Sequence, residues 1–187
     1  MMGIATVMAL AAALADGSIE EAGCLADGSG FLTARLRGAI ELDVDWREPQ
    51  LTCSGMPRPD GRGMRLRFSA AAADGGALAF VFAPPRLAEG EDARAVPVNV
   101  TVLQESSGRI YGTRGEERCL LDEVSQRRLP DEEAGTRSWA VEARGFCTVP
   151  ARSLDDAGTV LLTRFDFRGR VRFGGTAPAD ESGDADS

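Results

Sequence analysis

The chain has no histidine, no lysine and a single tyrosine, Tyr111, among 187 residues. Without an imidazole there is no base for Ser-His or Cys-His nucleophilic catalysis, and without lysine there is none for the Ser-Lys variant. Zinc could be held only by four thiolates, and the cysteines lack the close pairs such sites use. Neither a phosphate-binding Walker loop nor a strand-linked dinucleotide glycine fingerprint occurs. The apolar run Ile4 to Ala15 is too short for a transmembrane helix, which needs about 20 residues. No cofactor is therefore expected, and no transmembrane segment.

What is present points to export. Residues 4–15 end in Ala13-Leu14-Ala15 just before Asp16-Gly17. That is the apolar core and small-residue cleavage site of a signal peptide, although no charged residue precedes Ile4. Ala22-Gly23-Cys24 matches the end of a lipobox, but Glu20 and Glu21 stand where an apolar stretch should run into the cysteine. In an exported chain the four cysteines, Cys24, Cys53, Cys119 and Cys147, read as two disulfides. Of the three possible connectivities we expect the local one, Cys24–Cys53 with Cys119–Cys147. All 21 basic residues are arginine, and alanine and glycine abound, a composition of GC-rich bacterial genomes. The expected compartment is the periplasm or the exterior.

Net charge is −8, and Asp180, Glu181, Asp184 and Asp186 supply four of those charges in the terminal segment. Residues 174–187 are otherwise small or polar, and we expect a disordered tail. The expected organisation is a signal peptide at 1–15, one β domain at 16–173 and the tail. Nothing resembles the basic surface of a nucleic-acid-binding protein.

The strand signal is strong. Leu32, Ala34, Leu36, Gly38, Ile40, Leu42, Val44 and Trp46 alternate with Thr33, Arg35, Arg37, Ala39, Glu41, Asp43 and Asp45, a period of two that predicts one long half-buried strand. The same period marks 64–69, 78–82, 96–102, 139–147 and 165–173, with shorter candidates at 109–113, 118–124 and 159–163. Pro97 places its strand at an edge or at a strand start. Asp-Gly and Pro punctuation separates the strands, and no segment shows a helical period. The pattern predicts an all-β antiparallel sandwich of about eight or nine strands, with a closed β-barrel as the alternative. Within it Trp46, Trp139, Phe68, Phe80, Phe165 and Phe167 should share one core. The strand ending at Trp46 should pair with the one starting at Met64, setting Asp45 opposite Arg65 and Asp43 opposite Arg67.

Three constellations could carry function. Asp27-Gly28-Ser29-Gly30 and Asp60-Gly61-Arg62-Gly63 lack the spaced acids of a calcium loop and read as tight turns. Arg35, Arg37, Arg65, Arg67, Arg164, Arg168, Arg170 and Arg172 lie in the polar phase of strands. They either answer the acids across a wet sheet face or hold an anionic ligand such as lipopolysaccharide or a nucleotide. Ser107-Gly108-x-x-Tyr111 resembles the Ser-Gly-x-x-Tyr loop of the periplasmic C-type lysozyme inhibitors, small acidic β-barrels. The resemblance spans five residues, with Thr113-Arg114-Gly115 loosely similar to a second motif. It implies a partner-binding loop of Ser107, Gly108, Tyr111 and Arg114 that enters an enzyme cleft.

The leading expectation is a non-enzymatic, exported cell-envelope module, binding or structural, whose ligand the sequence does not identify, with an envelope protein and an anionic ligand as the candidate partners. A periplasmic enzyme inhibitor is the first alternative, and a carboxylate-based glycan hydrolase the second. Cleavage after Ala15 makes a direct prediction: protein recovered from the periplasm should have the intact mass of a chain starting at Asp16, with no thiol that alkylates before reduction. A retained Met1 would overturn the export reading.

Overall fold

The computed structural model describes residues 24–72, 75–113, 118–130, 135–156 and 158–174. The expected signal segment and residues 175–187 of the expected tail lie outside them. Among the described residues the fold is all-β and antiparallel, with twelve strands in one sheet. They are β1 (Phe31–Gly38), β2 (Leu42–Arg47), β3 (Thr52–Pro57), β4 (Met64–Ala71), β5 (Ala77–Ala83), β6 (Ala93–Pro97), β7 (Asn99–Gln104), β8 (Arg109–Gly112), β9 (Cys119–Arg128), β10 (Thr136–Cys147), β11 (Ala151–Ser153) and β12 (Thr159–Gly174). Hydrogen bonding runs β3-β4-β5-β7-β8-β11-β12-β10-β9-β6, and β1 joins β12 to β2. The sheet does not close, so the barrel alternative is set aside.

The expected single strand from Leu32 to Trp46 is a hairpin. Leu32, Ala34 and Leu36 in β1 face Trp46, Val44 and Leu42 in β2. Each pair joins two even-numbered positions across a five-residue connection, 37–41, so alternation passes through the turn unbroken. A hairpin with an odd loop cannot be told from one long strand by period alone. Gly38 turns the chain at φ +110°, and a Cβ there would strike the Thr159 carbonyl. The expected 96–102 strand is likewise two: β6 pairs with β9, while β7 pairs with β5 and β8. Pro97 is the last residue of β6, which ends the sheet, as a residue without an N–H requires. Conversely, the candidates at 159–163 and 165–173 merge into β12, whose last residue is Gly174.

The expected pairing of the second and fourth strands is wrong. β3 intervenes and pairs with β4, so Met56 faces Arg65 and Ser54 faces Arg67. Asp43 and Asp45 instead stand opposite Arg35 and Thr33 of β1.

The sheet folds over so that β4 and β5 lie against β12. Phe82 of β5 packs 4.8 Å from Phe165 and 4.6 Å from Phe167, ring centre to ring centre. Phe68 of β4 lies 5.2 Å from Phe167, and Trp46 of β2 lies 5.4 Å from Phe80 of β5. The five phenylalanines are fully buried, and Trp46 is half-buried. Trp139, expected in the same core, packs half-buried at its margin, where Glu89 accepts its indole N–H at 2.9 Å. Two disulfides, Cys24–Cys53 and Cys119–Cys147, staple opposite ends of the sheet order. Arg137 donates twice to the same Glu89 carboxylate, at 2.7 and 2.8 Å. Gln126 accepts from the Gly90 N–H and donates to the carbonyls of Ala88 and Glu91. These bonds dock the β5–β6 connection on β9 and β10 and so bring β6 to the edge of β9.

Two outcomes follow from this packing. Phe82→Ala should lower the unfolding free energy in urea by about 3–5 kcal/mol, and a loss below about 1 would show that the aromatic cluster does not join the two halves. Hydrogen bonds from Arg137, then from Trp139, hold the Glu89 carboxyl below the usual glutamate range. A carboxyl lowered on folding stabilises above its unfolded pKa and loses that contribution as pH falls through the folded value. The stability advantage of wild type over Glu89→Gln should be constant from neutral pH down to about 5 and shrink below about 4. An advantage independent of pH would refute the ion pair's role.

Candidate ligand-binding face

The strand phases leave two outward faces of different chemistry. The first belongs to β2, β1, β12, β10, β9 and β6. One row across it reads Asp45, Thr33, Asp166, Arg144, Glu123, Arg94. Its charges are bonded to one another. Arg37 reaches Asp43 at 2.8 Å and Arg35 reaches it at 3.4 Å. Arg144 and Arg94 share Glu123 at 2.7 and 3.0 Å, Arg164 meets Asp166 at 3.2 Å, and Arg47 meets Asp45 at 3.1 Å. The hydrogen bond from Arg37, with the positive charges of Arg37 and Arg35 beside it, holds the Asp43 carboxyl below its ordinary range. Open hollows of about 360 and 410 Å³ lie between these side chains. In them each guanidinium is matched by a carboxylate, while Arg127, outside them and opposite Ala140, forms no ion pair among the described residues.

The second face belongs to β3, β4, β5, β7, β8 and β11. Its central row reads Ser54, Arg67, Val81, Thr101, Gly112, Arg152. Ala79, Leu103 and Ile110 form the neighbouring row. An uncharged, half-buried strip thus runs between arginines at its two ends. Arg67 binds Glu105 at 3.0 Å. Arg65 touches only the Met56 sulfur, at 3.3 Å, and no carboxylate among the described residues pairs with Arg65, Arg118 or Arg152. A hollow of about 200 Å³ lies at one end, lined by Ser54, Met56, Arg65, Arg67 and Val81. Another of about 240 Å³ lies at the other end, lined by Gly112, Arg118, Arg152, Ser153, Leu154 and Asp156. Arg67 and Arg152 are four strand spacings apart, about 19 Å along the sheet.

The eight arginines singled out from the sequence therefore separate. Arg35, Arg37, Arg164 and Arg168 belong to the paired face, Arg168 with Glu142 at 3.9 Å. Arg65 and Arg67 belong to the other, and Arg118 and Arg152 join them there. Arg118 stands at the very start of the expected 118–124 strand, and Arg152 lies in a strand too short to show a period. Arg170 and Arg172 follow Arg168 on the outward phase of β12.

In the loop expected to enter an enzyme cleft, the turn is exposed and the tyrosine is not. Ser107 and Gly108 are exposed, Gly108 in the left-handed region at φ +65°. Tyr111, however, lies in β8 opposite Val102 and Ser153, fully buried, with no hydrogen-bond partner for its hydroxyl. The pairing puts it in the inward phase, so it cannot serve as the tip of a protruding loop. Arg114 lies outside the described residues.

Among the described residues no cluster of three or more acids or cysteines could hold a metal ion, and no helix is long and apolar enough to cross a membrane. Neither family models, curated proteins nor solved structures yield a match to this chain, and its chemistry must be read from these two faces.

Proposed function

We propose that this protein is a non-enzymatic binding module of the bacterial cell envelope, exported and disulfide-stapled, which takes an anionic ligand on its second face. The observation that carries the reading is the contrast between the faces. In the hollows of the first face every arginine is consumed by an ion pair. On the second face, Arg65, Arg118 and Arg152 border an uncharged strip without a carboxylate partner among the described residues. A guanidinium in that setting gains most from an oxyanion, which it binds through two parallel hydrogen bonds. The chain carries net charge −8, so such binding must come from a local field rather than from overall attraction. The two disulfides support an oxidising compartment. A hydrolase is less well supported, because Asp43, Asp166, Glu123 and Glu142, in two hollows of the first face, are each tied to an arginine, and Asp122 has no second acid beside it among the lining residues of a third.

Titration calorimetry at low ionic strength tests the proposal, with lipopolysaccharide and a nucleoside triphosphate as anionic ligands. At least one should bind, more weakly as salt rises, and the Arg65→Ala/Arg152→Ala variant should lose that affinity. The Arg35→Ala/Arg164→Ala variant, altered on the opposite face, should retain it. Loss in the second variant alone would move the site to the paired face, and absence of binding in all forms would sink the proposal.

A further inference from the structure

We infer that the hollow over Gly112 is a receptor for the phosphoryl group of a phosphorylated ligand, gripped between Arg118 and Arg152; this rests on the reading of the second face as anion-binding. Gly112 forms the floor. A Cβ built on it meets nothing within 4 Å, so the absent side chain leaves open space and not a packing contact. Arg152 stands directly opposite Gly112 in the β8–β11 register. Arg118 lines the other side.

Both arginines are carried by backbone that is tied down on two sides. β11 is three residues long and bonds to β8 on one edge and β12 on the other. The Arg118 carbonyl accepts from the Thr148 N–H at 2.8 Å and from its hydroxyl at 3.3 Å. The next residue, Cys119, faces Cys147 directly and is joined to it by a disulfide, and its carbonyl accepts from the Val98 N–H at 3.0 Å. The anchors on which the guanidiniums swing are thus set before any ligand arrives, which lowers the cost of ordering them.

The pair of guanidiniums selects the chemistry. A carboxylate can serve two arginines, as Glu123 serves Arg94 and Arg144, but it brings only one charge and two oxygens. A phosphoryl group has three terminal oxygens and close to two negative charges at neutral pH, enough for both forks at once. Asp156 lines the same hollow, held by a left-handed turn at φ +57°. It forms no ion pair among the described residues and can accept hydrogen bonds from hydroxyl or ammonium groups attached next to the phosphoryl. Leu154, 60% exposed, is an apolar lip beside it. The hollow, about 240 Å³, admits the phosphoryl and its first substituents, while the remainder of a ligand can extend over Thr101 and Val81.

The phosphoryl could come from a soluble phosphomonoester or from a lipid headgroup, and the experiment separates the two. Inorganic phosphate, glycerol phosphate and acetate are titrated into the intact protein by calorimetry. Flotation is measured in parallel with phosphatidylcholine vesicles, with and without phosphatidic acid. The phosphoryl probes should bind at least about tenfold more tightly than acetate, and Arg118→Ala, Arg152→Ala and Gly112→Val should each weaken them by about tenfold or more. Arg35→Ala, on the paired face, should leave them unchanged. Gly112→Val keeps both charges and fills the floor, so its effect reports the hollow itself, and unchanged thermal unfolding of each variant shows that the fold is intact. Binding of soluble probes assigns a soluble source; Arg152-dependent flotation with phosphatidic acid alone assigns a headgroup. Phosphate binding that survives Arg152→Ala and Gly112→Val overturns the inference. So does acetate binding equal to phosphate. Loss in Arg65→Ala alone overturns this site but leaves the anion-binding face standing, whereas no anion binding in any form removes both.

Discussion

β12 is sixteen residues long and carries Phe165, Phe167, Gly169, Val171 and Phe173 on one face. Such a strand must bury that face along much of its length, and no one neighbour covers it. β1 pairs with its first half, while β11 and then β10 take its other edge in turn. The far side of the sheet folds over to cover the aromatic row. That closure depends on two glycines. A Cβ at Gly169 would enter the Phe68 ring at 2.9 Å, and one at Gly55 of β3 would collide with the Arg170 carbonyl. The close approach of β3 and β4 to β12 exists because these two positions have no side chain to separate them. Single extra residues, Thr163 in β12 and Asp122 in β9, shift the register within the pairings with β1 and β10 and add the coiling that folding over requires.

The same closure determines what the surface can do. By bringing β1 and β10 to opposite edges of β12, it places Asp43, Asp166, Glu142 and Glu123 within reach of the arginines of four strands, β1, β6, β10 and β12. Exposed ion pairs of this kind add little stability individually. Their effect is to neutralise a wide face and to penalise slipped registers, since opposite charges would then meet like ones. On the other half the acids are fewer, and Arg65, Arg118 and Arg152 keep their charge beside an uncharged strip. The disulfide between Cys119 and Cys147 has a part in this, because it pins the strand start from which Arg118 projects. Stability and the candidate site thus share one fastening.

Much of this was legible in the chain. A period of two is a local property, so Met64 to Ser69, Leu78 to Phe82, Trp139 to Cys147 and Phe165 to Phe173 announced themselves as strands with their buried faces assigned. The all-β class followed, as did the phase of the buried phenylalanines. The absence of histidine and lysine confined the chemistry before any fold was known. Strands without alternation stayed hidden. β3 reads Thr-Cys-Ser-Gly-Met-Pro, half exposed at an edge where it touches β12 by backbone, and β11 is too short to show a period.

Pairing was not legible, and the candidate site depends on pairing. Nothing near Arg65 in sequence says that Met56 rather than Asp45 lies opposite it, and nothing near Tyr111 says that β8 turns that ring inward against Val102. Gly112, Arg118 and Arg152 meet only because β8 and β11 lie side by side and the Cys119–Cys147 strands end next to them. Side-chain alternation is written by each residue's own backbone, whereas register is chosen by contacts between segments far apart in the chain. The sequence by itself determined the composition of the two faces. Which charges would be spent on one another, and which left without a carboxylate among the described residues, was decided by long-range strand pairing.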